Sequence, residues 1–61
     1  MMYSVWVAHG GGDAYYQDYS DANLAIVYQH AKMCEYKGEK VMILTQDLDL
    51  VYKTGEVNHV G

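Results

Sequence analysis

The chain has no proline and no arginine, and its 61 residues include one cysteine. A lone cysteine (Cys34) excludes an internal disulfide, and no Cys/His set has the spacing of a structural zinc site. Four lysines face eight Asp and Glu, a formal charge of −4 and a pI near 5.0. Nucleic-acid binders rely on Lys and Arg to neutralise phosphate, and arginine makes the commonest bidentate base contact. Direct nucleic-acid binding is therefore disfavoured, as is docking to an anionic membrane. The apolar runs are short: Val5 to Ala8 and Val41 to Leu44 are four residues each and Leu24 to Tyr28 is five, far short of the roughly 18 that span a bilayer. The N-terminus lacks the basic and apolar regions of a signal peptide. The expectation is a soluble cytoplasmic protein read from its own start codon, with the free thiol suited to a reducing compartment.

What remains is a chain with 51% apolar and 13% aromatic residues, too many for disorder. At this length one domain, residues 1–61, is all the chain allows. About 60% of the unfolded surface is buried at this size, so unusually good packing or self-association has to support it.

Tyr3 to His9 forms a β-prone run in which Tyr3, Val5 and Val7 alternate with Ser4, Trp6 and Ala8. Gly10-Gly11-Gly12 stops it. Asp13 to Tyr19 follows, acidic and rich in tyrosine, either a loop or the return arm of a hairpin. Ser20 is placed as an N-cap, with a helix from Asp21 to about Lys37 and Gly38 as its C′ glycine. Lys40 to Thr45 reads as a buried strand. Leu48 to Lys53 alternates, placing Leu48, Leu50 and Tyr52 on one face, and Val57 to Val60 offers a last short strand. The expected fold is α+β, one helix packed on a three- to four-stranded sheet, in the order β-α-β-β with room for one more strand at the front loop or the tail.

Leu24, Val27, Tyr28, Ala31 and Cys34 share one helical stripe, which is assigned to the sheet. Ile26 and Met33, one heptad apart, lie nearly opposite, flanked by Ala22 and Ala25. The strands show the same doubling: Val41 and Ile43 face one way, Met42 and Leu44 the other, and Trp6 opposes Val5 and Val7. One helix covers one sheet face, so a second apolar face is left over. Exposing several hundred Å² of it costs on the order of 10 kcal/mol, and a symmetric dimer is the commonest remedy. Trp6, Ile26, Met33, Met42 and Leu44 are the expected self-association residues, in a homodimer.

Several residue sets invite chemistry. His9-Gly10-Gly11-Gly12 follows a strand, as the oxyanion segment of some esterases does, but Ser4 and Ser20 lie in no nucleophile motif; the glycines read as a turn. As a phosphate loop they lack G-x-G-x-x-G, and Asp13 and Asp18 would repel the anion. His30 and Cys34 at i, i+4 share a helix side and could hold a metal. Two more ligands are needed, and neither the remaining Asp residues nor His9 and His59 have a spacing that marks them. No metal, cofactor or catalytic residue is expected. The acidic segment is different: Asp13, Tyr15, Tyr16, Asp18 and Tyr19 combine carboxylates with rigid amphipathic rings of the kind enriched in interfaces. They form the expected contact surface for a basic protein partner, including a nucleic-acid-binding one.

The succession Y-S-V-W-V, S-D-A-N-L-A, A-K-M-C-E-Y-K-G-E-K-V-M-I and D-L-V-Y-K-T-G resembles the small β-α-β-β accessory proteins of bacteriophages and mobile elements. The resemblance implies a small protein that binds a host or phage protein in the host cytoplasm, a class including inhibitors of host defence and DNA-processing factors. It implies no site residue. The resulting expectation is a non-enzymatic protein-binding module, an inhibitor or adaptor. The alternatives are a purely structural dimerising scaffold, or a small oligomeric enzyme or metal protein using His9, His30 or Cys34.

Overall fold

The structure is a computed structural model that describes residues 1–55. The expected strand at Val57 to Val60, and His59, lie outside the described residues. Four strands, β1 (Tyr3–Ala8), β2 (Tyr16–Asp21), β3 (Lys40–Thr45) and β4 (Leu50–Lys53), form one antiparallel sheet in the order β2-β1-β3-β4. One helix, α1 (Leu24–Tyr36), joins β2 to β3 and packs on one sheet face. The chain is therefore α+β as expected. The extra strand is the tyrosine-rich return arm, which makes the order β-β-α-β-β.

Burial follows the strand alternation. Val5 and Val7 of β1 pair with Ile43 and Val41 of β3, and all four are fully buried beneath Val27, Ala31 and Cys34 of α1. Tyr3, Tyr19, Leu24 and Tyr52 close the rim of this core. Tyr28, expected on the same stripe, sits further round the helix and is largely exposed.

The helix begins later than its spacing suggests. Ser20 and Asp21 are the end of β2, paired with Ser4 and Tyr3, and the Ser4 and Ser20 hydroxyls lie 3.0 Å apart. The N-cap is Asn23, whose side chain accepts from the Ala25 N–H at 3.0 Å, while Asp21 accepts from the Asn23 N–H at 2.8 Å. Ser, Asp and Asn cap about equally well, and the ladder to β1 decides among them. The C-terminus is as expected: the Gly38 N–H donates to Glu35 O and the Glu39 N–H to Cys34 O, with Gly38 at φ 87°. This pair of bonds requires a left-handed residue at Gly38.

The last hairpin corrects a second expectation. Leu48 is not in a strand; it occupies the β3–β4 turn at φ 67°, a conformation costly for a branched side chain. A register shift then inserts Val51, so that Leu50 pairs with Leu44 and Tyr52 with Ile43. Leu50 and Tyr52 consequently face opposite sides of the sheet.

These two left-handed positions generate opposite expectations. A Cβ at Gly38 would meet nothing within 4 Å, so Gly38→Ala loses about 1 kcal/mol through backbone strain alone. Leu48→Asn relieves strain and gains about 0.5–1 kcal/mol. Urea denaturation of both variants reads the signs; a neutral Gly38→Ala contradicts the C-cap geometry.

Candidate functional site

A second bulge lies in the β1–β2 ladder. Val5 pairs with Tyr19 and Trp6 with Gln17, which leaves Asp18 as the extra residue. A bulged residue escapes strict alternation, and Asp18 turns with Tyr19 toward α1. The Tyr19 ring stacks on His30, centroids 4.8 Å apart and planes within 13°. Asp18 Oδ2 lies 2.5 Å from His30 Nε2 and 4.0 Å from Cys34 Sγ. One ligand atom from each of Asp18, His30 and Cys34 thus falls within 4.8 Å of the others. Cys34 forms the closed wall of this cluster, while the Asp18 and His30 side chains are 40% and 35% exposed, so the far side opens to water. Burial pushes the Cys34 thiol up, and the negative charges of Asp18 and Glu39 push the same way. Glu39 also pairs with His9.

A different cluster ties the opposite flank of α1 to β4. Glu35 accepts from Thr54 Oγ1 at 2.5 Å and Tyr52 OH at 2.6 Å, and its other oxygen pairs with Lys32 Nζ at 3.2 Å. Lys32 also donates to Tyr52 OH at 2.9 Å, and the Tyr28 ring meets Tyr52 edge-on. The Thr54 hydroxyl in turn accepts from the Val41 N–H at 2.9 Å, which joins the cluster to the central strand β3. Burial alone would raise the Glu35 carboxyl, but the bonds from Thr54, Tyr52 and Lys32 outweigh it and hold it below its ordinary value. The same Tyr52 and Glu35 contacts raise Lys32 above the usual lysine range. This is a structural knot, with every polar group engaged.

The residues of the acidic contact surface expected from sequence lie in β2 and in the segment before it. Asp13 is fully exposed and 3.3 Å from Lys40 Nζ, Tyr15 is half-buried, and Tyr16 is exposed at the sheet edge. Asp18 and Tyr19 are occupied against the helix. Tyr16, Asp18 and Tyr19 fall on the helix side of β2, whereas Asp13 and Tyr15 lie in the segment before it. The glycine triplet does form a turn, with Gly10 and Gly11 at φ 62° and 75°.

The residues expected in self-association fall on two opposite sides. Trp6 pairs with Met42, and Ser4 with Leu44, on the sheet face away from α1; Leu50 extends that row. All are partly exposed, and the Trp6 indole N–H is buried without a hydrogen-bond partner among the described residues. Ile26 and Met33 instead lie on the outer surface of α1, beside a shallow depression lined by Tyr28, Gln29, Lys32, Met33 and Tyr36. Met33 is 63% and Tyr36 95% exposed. Among the described residues, no helix is long and apolar enough to cross a membrane. No family model, curated protein or solved structure matches the chain.

The Glu35 knot carries a definite pH dependence. Its carboxyl is depressed in the folded state, so its contribution is complete above the ordinary value of 4.5 and is lost as pH falls through the lower folded value. Glu35→Gln is expected to lose about 1–2 kcal/mol at neutral pH and to show a shallower decline in acid. Urea denaturation across pH 2–7 checks this; parallel acid profiles for the two proteins would remove Glu35 from the linkage.

Proposed function

We propose that the protein is a non-catalytic protein-binding module acting as a homodimer, with the open sheet face as the seam between copies. The observation that carries this reading is the double-sided apolarity of β1 and β3. An antiparallel sheet that faces water carries polar residues on its wet side. Here that side presents Trp6, Met42, Leu44 and Leu50.

Charge supports a second copy as the occupant. On the open face Lys40 and Lys53 stand at one end of the strands, paired with Ala8 and Met42 respectively. Asp47 and Asp49 sit exposed in the β3–β4 turn at the other end. A two-fold axis lying between the sheets and crossing the strands brings the lysine end of each copy over the partner's aspartate end. The apolar row then meets itself, as an isologous interface requires. The helices point outward in such a dimer, leaving Ile26, Met33 and Tyr36 available. Lys37 borders that stripe and Glu35 is turned inward against Lys32, so the stripe suits an apolar protein segment carrying carboxylates. The resemblance to phage accessory proteins supports an inhibitor or adaptor role for this contact.

Sedimentation equilibrium at micromolar concentration is expected to give about twice the chain mass. Met42→Glu moves it toward monomer, Lys53→Glu weakens it, and adding Asp49→Lys to Lys53→Glu restores it. A folded species at chain mass over that range, or a dimer broken by Met33→Glu and untouched by Met42→Glu, overturns the sheet seam.

The outer helix stripe is tested separately by affinity capture from the native cytosol. Met33→Glu with Tyr36→Ala is expected to release a captured protein while the dimer persists. Release by Asp13→Asn with Asp18→Asn instead would return the contact to the acidic segment. A stable dimer that retains no protein at all would make it a structural scaffold.

A further inference from the structure

We propose that Asp18, His30 and Cys34 form a binding site for one divalent transition-metal ion of the zinc class. The three side chains come from two elements. His30 and Cys34 are one turn apart on α1, which places both on one side, and Asp18 is aimed at them by the β2 bulge. Their ligand atoms converge within 4.8 Å.

The donor set selects the metal class. A thiolate and an imidazole suit zinc and its neighbours over magnesium or calcium, which take all-oxygen shells. Two anionic ligands, Asp18 and the Cys34 thiolate, balance a dication at a site walled by a buried residue. A tetrahedral zinc holds its nitrogen and oxygen ligands about 3.3 Å apart, given bonds of about 2.0–2.1 Å. The Asp18–His30 pair, now 2.5 Å apart, therefore opens by about 0.8 Å to admit the ion between the two atoms.

The remaining ligand position faces the solvent side, where Asp18 and His30 are exposed, and takes a water. Binding uses neutral His30 with its proton on Nδ1 and releases the Cys34 thiol proton to solvent. The stacked Tyr19 ring fixes the imidazole plane, as the surroundings of metal-bound histidines commonly do. The ion joins edge strand β2 to α1 at the one flank of the helix that has no equivalent of the Glu35 knot. Its expected effect is therefore on stability.

Purified protein titrated with Co²⁺ is expected to bind one ion per chain and to show a thiolate-to-cobalt charge-transfer band with the visible bands of a tetrahedral site. Zn²⁺ displaces it. Cys34→Ser abolishes the band. His30→Ala and Asp18→Asn weaken binding by at least the roughly 10–100-fold that loss of even an outer-shell partner costs, and His9→Ala does not. Zn²⁺ at about a hundred times its Kd raises Tm by about 10 °C or more. A readout on the unaltered chain guards against variants that fail to fold: saturating Zn²⁺ slows alkylation of Cys34. Absence of the charge-transfer band, an alkylation rate unchanged by Zn²⁺, or binding that survives Cys34→Ser and falls with His9→Ala each overturns the site.

Discussion

Thirteen residues of α-helix reach about 20 Å, and four antiparallel strands span about 14 Å between their outermost axes. A single α1 therefore matches one face of this sheet and leaves nothing for the other. The consequence runs through the whole molecule. On the covered side the core is built from small and branched residues, four from the sheet and Val27, Ala31 and Cys34 from the helix. Ala31 and Cys34 let the helix sit close to the strands, so a short chain reaches interior packing without any large aromatic at its centre. On the uncovered side the same two central strands carry Trp6, Met42 and Leu44. The chain has apolar residues enough for two layers of packing and helix enough for one.

Close packing of small residues fixes the distance of a helix better than its rotation or sliding, because a Val–Ala–Cys surface offers few ridges. Orientation here comes from polar ties at the two flanks. On the β4 side Glu35, Tyr52, Lys32 and Thr54 bond one another. On the β2 side Asp18 meets His30 beneath Tyr19. Both flanks coincide with a bulged edge strand: Asp18 is the inserted residue of β2 and Val51 that of β4. Bulges twist edges and re-aim side chains, and each one here turns an edge strand so that its polar groups reach the helix.

The parts of this fold that sequence revealed are those set by local periodicity. The α1 stripe of Val27, Ala31 and Cys34, the stop at Gly38 and the alternation of β1 and β3 need no knowledge of distant residues. The start of α1 was hidden because Ser20, Asp21 and Asn23 are all good caps within four positions, and pairing of Ser4 with Ser20 chose between them. Alternation placed Leu50 and Tyr52 on one face because a bulge leaves no signature in residue type. The same blindness concealed the third member of the candidate site. His30 and Cys34 announce themselves at i, i+4, whereas Asp18 lies 12 residues from His30 in an acidic stretch of similar neighbours. Only the bulge distinguishes it from Asp13, which lies in solvent.

The two flanks of α1 differ in what can be exchanged. At Glu35 four side chains satisfy one another, and any substitute must replace several bonds at once. At Asp18 the tie to His30 is one hydrogen bond at an open edge, with the Cys34 thiol donating a longer one to the same carboxylate from behind. A proton there is replaceable by a cation with the same two neighbours and one more. Such an exchange leaves the β4 flank and the open sheet face where they are, since neither shares a residue with it; the core does, through Cys34. Stability contributed at that edge is thus separable from the proposed contact between copies, which would lie on the opposite face of the sheet. Sites that share no partners and lie far apart combine nearly additively. In a domain whose total stability is on the order of 5 kcal/mol, each of the two proposed contributions would be large enough to decide whether the chain is folded, and each would answer to a different concentration: that of the metal, and that of the protein itself.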